Sequence, residues 1–426
     1  MLFIKKLRPS LNTQSDSISA KISLNVDGSV LTDDSSIAES MNSYFSSVFT
    51  TKDYVNFPTQ DCIFDKKLAN IDCSANEMKR HLLKLKPNKS PGPDHIAACI
   101  LKSCAAELAP SLTYMVNKSF CVGLLPDEWK HADIIPPHKK GSKSSRENYP
   151  PISLTSIACK ISEKIFFDRV MKFWREIDLI NSNQFGFLRG RSTATQLLST
   201  FNDWAKSRNL SIPIDAIFLD LAKAFDSVPH ERLLLKLKSN GIVGSVLNWL
   251  KHFLVGRKQR VVGRGSCSDW SRVTSGTPQG TILGPLLFLL CINDITECIS
   301  SIAKIYADDT KIYREISDPI TDCQILQDDL NNLSEWARKW QLRFNADKCE
   351  SMRITYSRDR SETNYFLEKP LKDVDNFKDL GVTITRDLSR GNHMSITVNK
   401  ANKVLGSIKR SVGTANTNIH TYIIFI

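Results

Sequence analysis

The sequence of 426 residues lacks several features that would each point to a particular class of protein. Its longest apolar run, Ile282–Ile292, is broken by Gly284 and Pro285, so no membrane span is predicted. The apolar part of the N-terminal MLFIKK is too short for a signal peptide. We also find no internal repeat and no long low-complexity tract. The sequence therefore predicts a globular protein that has no membrane partner and is not secreted.

The cysteines are scattered and form no zinc or disulfide pattern. There are 11 of them, with no C-x-x-C pair and no histidine partner at zinc-finger spacing. An odd number of dispersed thiols in a long chain fits a reducing compartment better than a secreted disulfide framework. We therefore expect an intracellular location, in the nucleus, the cytoplasm or both, and no structural zinc site.

Acidic residues are outnumbered by basic ones, which gives a formal net charge of +12. Charged residues make up 24% and hydrophobic residues 41% of the chain, an ordinary globular balance. The length predicts two or three subdomains. An excess of positive charge favours a polyanionic partner, although a solvated surface is its commoner explanation unless the basic residues cluster.

Basic residues do cluster at two places in loops that are rich in glycine and serine. His138–Arg146 includes Lys139 and Lys140, and a second cluster contains Arg189 and Arg191 just before a predicted helix. Flexible backbone N–H groups and cationic side chains can bind phosphates together. Each cluster is thus either a phosphate-binding loop or a solvated charge run.

Helix signals recur through the chain. The capping-box pattern at 74–77 predicts a helix start, and residues Ile157–Trp174 have helical periodicity. Residues 99–116 are also predicted to be helical, with an interruption at Pro110. Residues 1 to about 60 are rich in polar and turn-forming types and predict a loosely packed leader.

Two acidic sites are embedded in β-prone sequence. The strand AIFLD ends in Asp220, and the segment IYADDTKIY carries Asp308 and Asp309 at its centre. Adjacent aspartates between two strands most often form a solvated hairpin turn. If the hairpin instead pairs with the first strand, the three carboxylates converge on one edge of a sheet.

Such a convergence would suit magnesium chemistry. Oxygen-only ligation by few side chains leaves coordination positions for water and phosphate, as Mg²⁺ prefers. Two ions about 4 Å apart assist in-line phosphoryl displacement. The metal would also offset the repulsion between the carboxylates.

These segments together resemble a known family. FLDLAKAFDSV, SGTPQG and IYADD, in this order and spacing, closely resemble the reverse transcriptase of non-LTR (LINE-type) retrotransposons, which is related to group II intron enzymes. Six further segments also resemble it, over roughly residues 20–410: KSPGPDHI, LLPDEWKHADIIPPHKKG, ENYPPISLTSIACKISEKI, QFGFLRGRSTATQLL, WQLRFNADKC and FKDLGVTIT. The ordered set is far more specific than any single motif.

The resemblance implies an α+β fold with the right-hand architecture of polymerases. It implies a leader or linker over 1–73, a helical N-terminal extension over 74–130, fingers over 131–212, a palm over 213–372, a primer-grip hairpin over 373–385 and a truncated thumb over 386–426. It also implies two Mg²⁺ ions, with Mn²⁺ as a substitute, and an RNA template, a DNA primer and deoxynucleoside triphosphates as partners. The sequence does not set an oligomeric state.

Roles for individual residues follow from the same resemblance. Asp220 and Asp308 would hold the metals, with Asp309 as accessory carboxylate, and Lys348 would protonate pyrophosphate. Phe225 would lie under the incoming sugar and exclude a 2′-hydroxyl. The other implied contacts are to the nucleotide by Gln279, Gly280, Arg189 and Arg191, and to nucleic acid by Lys139, Lys140 and Gly381. By itself Phe225 could equally be a core residue, and Asp226 is expected to cap the turn that follows it.

The chain also departs from the family pattern. The usual NYRPIS reads Asn148-Tyr149-Pro150-Pro151 here, which removes an expected arginine. The usual upstream endonuclease is not in the sequence, and the chain stops within the expected thumb. A catalytically decayed nucleic-acid-binding fragment is therefore the alternative to an active enzyme. An RNA-copying RNA polymerase is a third reading, against which Phe225 and SGTPQG argue.

Overall fold

The computed structural model describes residues 23–50, 57–60, 64–355 and 364–412. Within them, short 3₁₀ helices span Asp127–Lys130 and Arg146–Asn148. The α-helices of this part of the chain are Asp34–Ser47, Ala75–Leu83, Ala98–Ser103, Ala105–Val122, Ile157–Glu176, Thr193–Asn209, Ala224–Ser227, His230–Ser239, Gly244–Leu254, Leu283–Cys291, Pro319–Trp340 and Gly391–Val412. None of these helices is both long enough and apolar enough to cross a bilayer.

The strands of the described residues are mostly short. They are β1 (Leu24–Val26), β2 (Ser29–Leu31), β3 (His131–Ile135), β4 (Ile152–Leu154), β5 (Ile214–Asp220), β6 (Lys258–Gly263), β7 (Ser266–Cys267), β8 (Ser271–Arg272), β9 (Ile302–Tyr306), β10 (Asp309–Glu315), β11 (Glu350–Ile354), β12 (Phe366–Leu367), β13 (Lys369–Pro370), β14 (Lys372–Asp373), β15 (Asn376–Asp379) and β16 (Val382–Thr385). Together with the helices they confirm the predicted α+β class.

A five-stranded sheet in the order β14-β11-β5-β10-β9 forms the centre of the fold. Strand β5 is antiparallel to both of its neighbours, β10 and β11, and β10 continues into an antiparallel hairpin with β9. All residues of β5 before Asp220 are buried, as its apolar sequence predicts for a central strand. Only the end of this strand reaches the surface, so a polar residue there can serve a site.

Side chains of the central sheet alternate between two cores. Ile217 and Ile312 belong to the larger core that the helices form, whereas Ala216, Phe218 and Tyr313 face a smaller one. The smaller core also includes the β15–β16 hairpin, whose Phe377 stacks on Phe218 with ring centroids 3.8 Å apart. Because alternate residues of a strand share a face, Asp220 lies on the face that Phe218 and the hairpin cover.

A second sheet in the order β4-β3-β6-β7, with β8 also paired to β6, joins distant parts of the chain. Strand β3 is parallel to β6, and β4 is antiparallel to β3. The helix Asp34–Ser47 packs against this sheet and buries Met41 and Phe45 in a core with Ile134 and Val261.

The packing of that helix corrects one expectation about the leader. Residues 24–49 are not loosely packed, because their few apolar side chains fall on one helix face and in β1, where Leu24 is fully buried. The sequence reading gave too much weight to the polar residues of the opposite face. Residues 1–22, within the predicted leader, and residues 413–426, within the predicted thumb, lie outside the described residues.

Helix boundaries agree with the capping signals. The Ser74 hydroxyl accepts from the Glu77 backbone N–H at 3.2 Å, and the first helical residue is Ala75. The helix predicted from Ile157 begins there and continues to Glu176. Such caps satisfy backbone donors that have no partner within the helix.

The helical region around Pro110 differs from its prediction. The break between helices falls at Cys104, and Ala105–Val122 runs through Pro110 as one helix. Proline removes one backbone donor of a helix, but the side chains of Ala109 and Val116 on either side of it are buried. Tertiary packing therefore outweighs the local preference of proline.

A buried ion pair joins the β15–β16 hairpin to the central sheet. Lys311 of β10 bonds through Nζ to the carboxylate of Asp379, and the two side chains are only 3% and 7% exposed. Burial lowers the pKa of Lys311, while Asp379 opposes that effect. The pair fixes the hairpin beside the end of β10 that carries Asp309.

We expect Asp379→Ala to lower the free energy of unfolding by about 3–5 kcal/mol, because it leaves a buried ammonium without its partner. Urea denaturation measures this change. Asp347→Ala is the control, since its pair with Lys369 is on the surface and should contribute less than about 1 kcal/mol. Equal effects of the two substitutions would contradict the structural role of the buried pair.

Candidate active site

Three acidic residues lie at one end of the central sheet. In the antiparallel register of β5 and β10, Asp220 lies directly opposite Asp309. Asp309 also pairs with Tyr306 across the hairpin, which leaves Ala307 and Asp308 as the turn. Ala307 adopts a φ of 58°, so the turn has left-handed backbone at its first residue. The predicted pairing of the hairpin with the first strand is therefore confirmed.

The electrostatics of this cluster favour a cation. Burial raises the pKa of Asp308, and the charge of Asp220 raises it further. The ammonium groups of Lys139 and Lys348 act in the opposite direction on the same pKa. A carboxylate whose ionised form is disfavoured by burial and by a like charge is stabilised by any positive charge placed beside it.

Lys348 is held beside Asp220 by the backbone as well as by charge. Its Nζ lies 2.9 Å from Asp220 Oδ2, and its side chain is 60% exposed. The backbone N–H of Asn345 donates to the Asp220 carbonyl at 2.7 Å, and the Lys348 N–H donates to the Asn345 carbonyl. Sequence positions 128 residues apart are thus brought together at the predicted site.

The donor set fits a hard divalent cation that shares its coordination with a substrate. In the described ranges, no group of three or more His, Cys, Asp or Glu side chains is arranged to hold a metal ion. Mg²⁺ is commonly bound by one or two carboxylates together with substrate phosphates and water. The oxygen-only donors and the ammonium already paired with Asp220 agree with such a site.

Phe225 packs against the helical core. It is partly buried, stacks on Phe288 with ring centroids 4.6 Å apart and meets Phe187 edge-on at 6.2 Å. The ring is therefore fixed from two sides by aromatic contacts. This position is consistent with a core residue that also presents one side to a ligand.

The SGTPQG segment is bonded closely to the turn that contains Phe225. The N–H groups of Gly276 and Thr277 donate to the carbonyls of Val228 and Phe225 at 2.8 and 2.7 Å. A Cβ on Gly276 would lie 2.8 Å from the carbonyl oxygens of Phe225 and Asp226, and its φ is 91°. Only glycine fits this position.

Gln279 and Gly280 continue that loop. The Gln279 carbonyl accepts from the Ser153 N–H at 2.8 Å, and a Cβ on Gly280 would lie 2.6 Å from the Ser153 carbonyl oxygen. The loop therefore packs directly on β4.

Asp226 differs from its prediction. Instead of capping its own turn, its carboxylate accepts from Gln279 Nε2, at 3.1 Å to Oδ1 and 3.3 Å to Oδ2. Burial raises the pKa of Asp226 to about 6, although the Gln279 hydrogen bond and the charge of Lys223 oppose the rise. The sequence did not signal this contact, because it links residues 53 positions apart.

The four predicted basic residues of the two loops occupy two kinds of environment. Lys139, Lys140 and Arg189 are exposed, and Lys139 is close enough to Asp308 to act on its pKa. Arg191 is instead bonded through Nη1 to the Ser182 carbonyl at 2.7 Å and to the Gln184 carbonyl. Its guanidinium is therefore engaged by the protein backbone.

Gln184 lies in the QFGFLRG motif, which gives no local signal that this residue has a role of its own. It is 3% exposed, and its Oε1 accepts from the N–H groups of Gly186 and Ala307 at 2.7 and 3.0 Å. A Cβ on Gly186 would lie 2.5 Å from the Ala307 nitrogen. Gln184 thus holds the turn that carries Asp308.

Gly381 lies in the turn of the β15–β16 hairpin with a φ of 97°. It is exposed, and nothing lies within 4 Å of a Cβ built on it. Gly381 therefore lies at the outer tip of the hairpin. Phe377 and Asp379 attach this hairpin to the central sheet.

We expect Gln184→Ala to loosen the 305–309 segment, because two buried N–H groups lose their acceptor. Hydrogen–deuterium exchange there should accelerate by about tenfold or more, the equivalent of at least about 1.4 kcal/mol. Gln327→Ala is the matched control, since its Oε1 also accepts a backbone N–H, at 2.9 Å from Phe366, but on the surface. Unchanged exchange at 305–309 would refute the role of Gln184.

We expect Asp226→Asn to stabilise the protein above pH 6. A rise in pKa from the ordinary 3.8 to about 6 means that the folded protein binds this proton more tightly than the unfolded chain does. Ionisation of Asp226 in the folded protein therefore lowers the free energy of unfolding by up to about 3 kcal/mol. This decrease develops as the pH rises from 4 to 6. In urea denaturation the variant's advantage should shrink towards zero at pH 4, whereas a difference that does not change with pH would contradict the shifted pKa.

Comparison with known proteins agrees with this geometry. Residues 137–384 match the family described as reverse transcriptase (RNA-dependent DNA polymerase). In Drosophila melanogaster, the probable RNA-directed DNA polymerases of the transposons X-element and BS are 29% and 28% identical to this chain, over 75% and 76% of its length. The RNA-directed DNA polymerase of the mobile element jockey is 28% identical over 78% of it.

The matched regions make up 36–37% of those relatives, so the chain spans little more than a third of their length. The family match nevertheless covers more than half of this chain and includes all three carboxylates. The relatives are also of the retrotransposon type that the ordered motifs predicted. The chain belongs to the reverse transcriptase family, with the enzymes of non-LTR retrotransposons as its relatives.

Proposed function

We propose that this chain extends a DNA primer on an RNA template with deoxynucleoside triphosphates. The observation that carries the proposal is the register of β5 and β10, which sets Asp220 opposite Asp309 and next to the turn with Asp308. A polymerase needs such a cluster where the primer 3′-hydroxyl attacks a nucleoside triphosphate. The names of the relatives support this chemistry.

The proposed architecture is a right hand. The central sheet is the palm and lies within 213–372 except for Asp373 of β14, and the β15–β16 hairpin within 373–385 grips the primer. The fingers take β3 and β4 from 131–212, but β6–β8 from the palm range complete their sheet. The extension over 74–130 packs on the palm helices, and the helix Gly391–Val412 begins the thumb.

Asp220, Asp308 and Asp309 are the side chains that would hold two Mg²⁺ ions, for which Mn²⁺ can substitute. When bound, the ions would stabilise the charge on the attacking and leaving oxygens. Lys348, paired with Asp220, stands where an ammonium could give a proton to the departing pyrophosphate. The ion pair with Asp220 keeps the Lys348 ammonium at the site before substrate binds.

The remaining residues would bind and orient the substrates. Phe225 restricts the space beside the sugar, and Gln279 and Gly280 approach the nascent pair. Arg189 would contact the triphosphate, whereas Lys139 and Lys140 would contact the template. Gly381 leaves the tip of the hairpin open to the primer.

Arg191 is assigned a different role from the one that the motif implied. Because its Nη1 binds the Gln184 carbonyl, we propose that it supports the residue that holds the Asp308 turn.

The thiols of the described cysteines are unpaired, which agrees with a nuclear or cytoplasmic location.

Primer extension on a poly-ribonucleotide template tests the proposal. Asp220→Ala and Asp308→Ala should each lower the rate by about 10²–10³-fold or more, because each removes charge that stabilises the transition state. Asp328→Ala, on an exposed helix face, is the control and should extend normally. Product from the Asp308 variant at the wild-type rate would refute the assignment.

The alternative is a decayed nucleic-acid-binding fragment, which the pair Pro150-Pro151 in place of Arg-Pro favours. Wild-type protein that binds RNA in a salt-sensitive manner but does not extend a primer would support this reading. Comparison of ribo- and deoxynucleotide incorporation would separate both readings from an RNA polymerase.

A further inference from the structure

The Asp226 carboxylate lies against the loop that carries Gln279. Both of its oxygens are within 3.3 Å of Gln279 Nε2, and the Asp226 carbonyl accepts from the Ser275 hydroxyl at 2.8 Å. The two ends of the SGTPQ segment are thus bonded to one residue. This contact joins the turn beside Phe225 to the loop proposed to approach the nucleotide.

The space that the Asp226 side chain occupies could be filled equally well by an uncharged side chain. The described residues provide no ion pair for Asp226, and of its surroundings only Lys223 lowers the pKa by charge. Asp226 and Arg257 both line a cavity with a volume of about 30 Å³. The Nη2 of Arg257 has no protein acceptor within the described part of the chain. An asparagine would have the same shape and would avoid the cost of burying a charge. A purely structural role therefore does not account for the carboxylate.

An ionised carboxylate fixes the orientation of a neighbouring amide more strictly than an asparagine does. It has only acceptors, so it can face the NH₂ end of the Gln279 amide but not its carbonyl oxygen. The backbone on either side is already fixed, because the Gln279 carbonyl is bonded to Ser153 and Gly280 packs on it. The remaining freedom is rotation of the side-chain amide, and Asp226 removes it.

We propose that Asp226 is a positioning residue that orients the Gln279 amide, with Nε2 turned inward and Oε1 presented as an acceptor to a hydrogen-bond donor of the incoming nucleotide. The identity of the ligand in this inference rests on the proposed function. The contact between Asp226 and Gln279 does not. Asp226 acts through Gln279 and does not touch the reacting atoms.

A double-mutant cycle tests this coupling. Asp226→Ala and Gln279→Ala should each raise the KM for the deoxynucleotide by about tenfold, with a smaller change in kcat, since each loses about one oriented hydrogen bond. The double variant should be no worse than either single one. Asp226→Asn retains an acceptor for Nε2 and should stay within about threefold of wild type.

Independent effects that multiply to about 100-fold in the double variant would overturn the proposal. So would an Asp226→Asn variant as impaired as Asp226→Ala. Asp328→Ala is the matched control, because its carboxylate also accepts a glutamine amide, from Gln324 Nε2 at 2.9 Å, on an exposed helix. It should leave KM unchanged.

Hydrogen exchange of the Gln279 side-chain amide, followed by NMR, gives a second readout that does not depend on activity. Asp226→Ala should accelerate exchange of the Nε2 protons by about tenfold, whereas Asp226→Asn should not. If the wild type extends no primer but this pattern holds, the proposed function fails and the positioning role stands. If exchange is the same in Asp226→Ala and wild type, the positioning role is wrong whatever the activity.

Discussion

Repulsion between carboxylates is the constraint on which the arrangement of this molecule depends. Asp220 and Asp309 are opposite each other in the register of two strands, and the charge of Asp220 raises the pKa of the neighbouring Asp308. Such a cluster persists only where rigid neighbours hold it and positive charge is available. Lys348 supplies part of that charge, and the sheet supplies the rigidity.

The supports of the cluster come from several separate segments. Gln184 holds the turn from one side, and the loop Asn345–Lys348 bonds to the end of β5 from another. The buried pair of Lys311 and Asp379 fixes the adjoining hairpin. Each support is a short-range contact between elements that are far apart in sequence. The geometry of the site is therefore a property of the whole fold rather than of the motifs alone.

The sequence predicted what depends on local pattern and left open what depends on partners. The buried strand ending in Asp220, the hairpin and the capped helices were all visible in periodicity and turn chemistry. The roles of Arg191 and Asp226 were not, because hydrogen bonds decide them and the partners are set by tertiary packing. The leader was misjudged for a related reason: its few apolar residues gain their value only against Ile134 and Val261.

The parallel pairing of β3 with β6 bears on how the chain reaches its native state. These strands are more than 100 residues apart, and the whole of β5 lies between them in the sequence. Closing so long a loop is entropically unfavourable until its contacts form, and nonlocal pairing slows folding. During synthesis the second sheet must wait until β6 has left the ribosome, and β5 must wait longer still for β10 and β11. The strand that ends in Asp220 is thus made early and acquires its neighbours late.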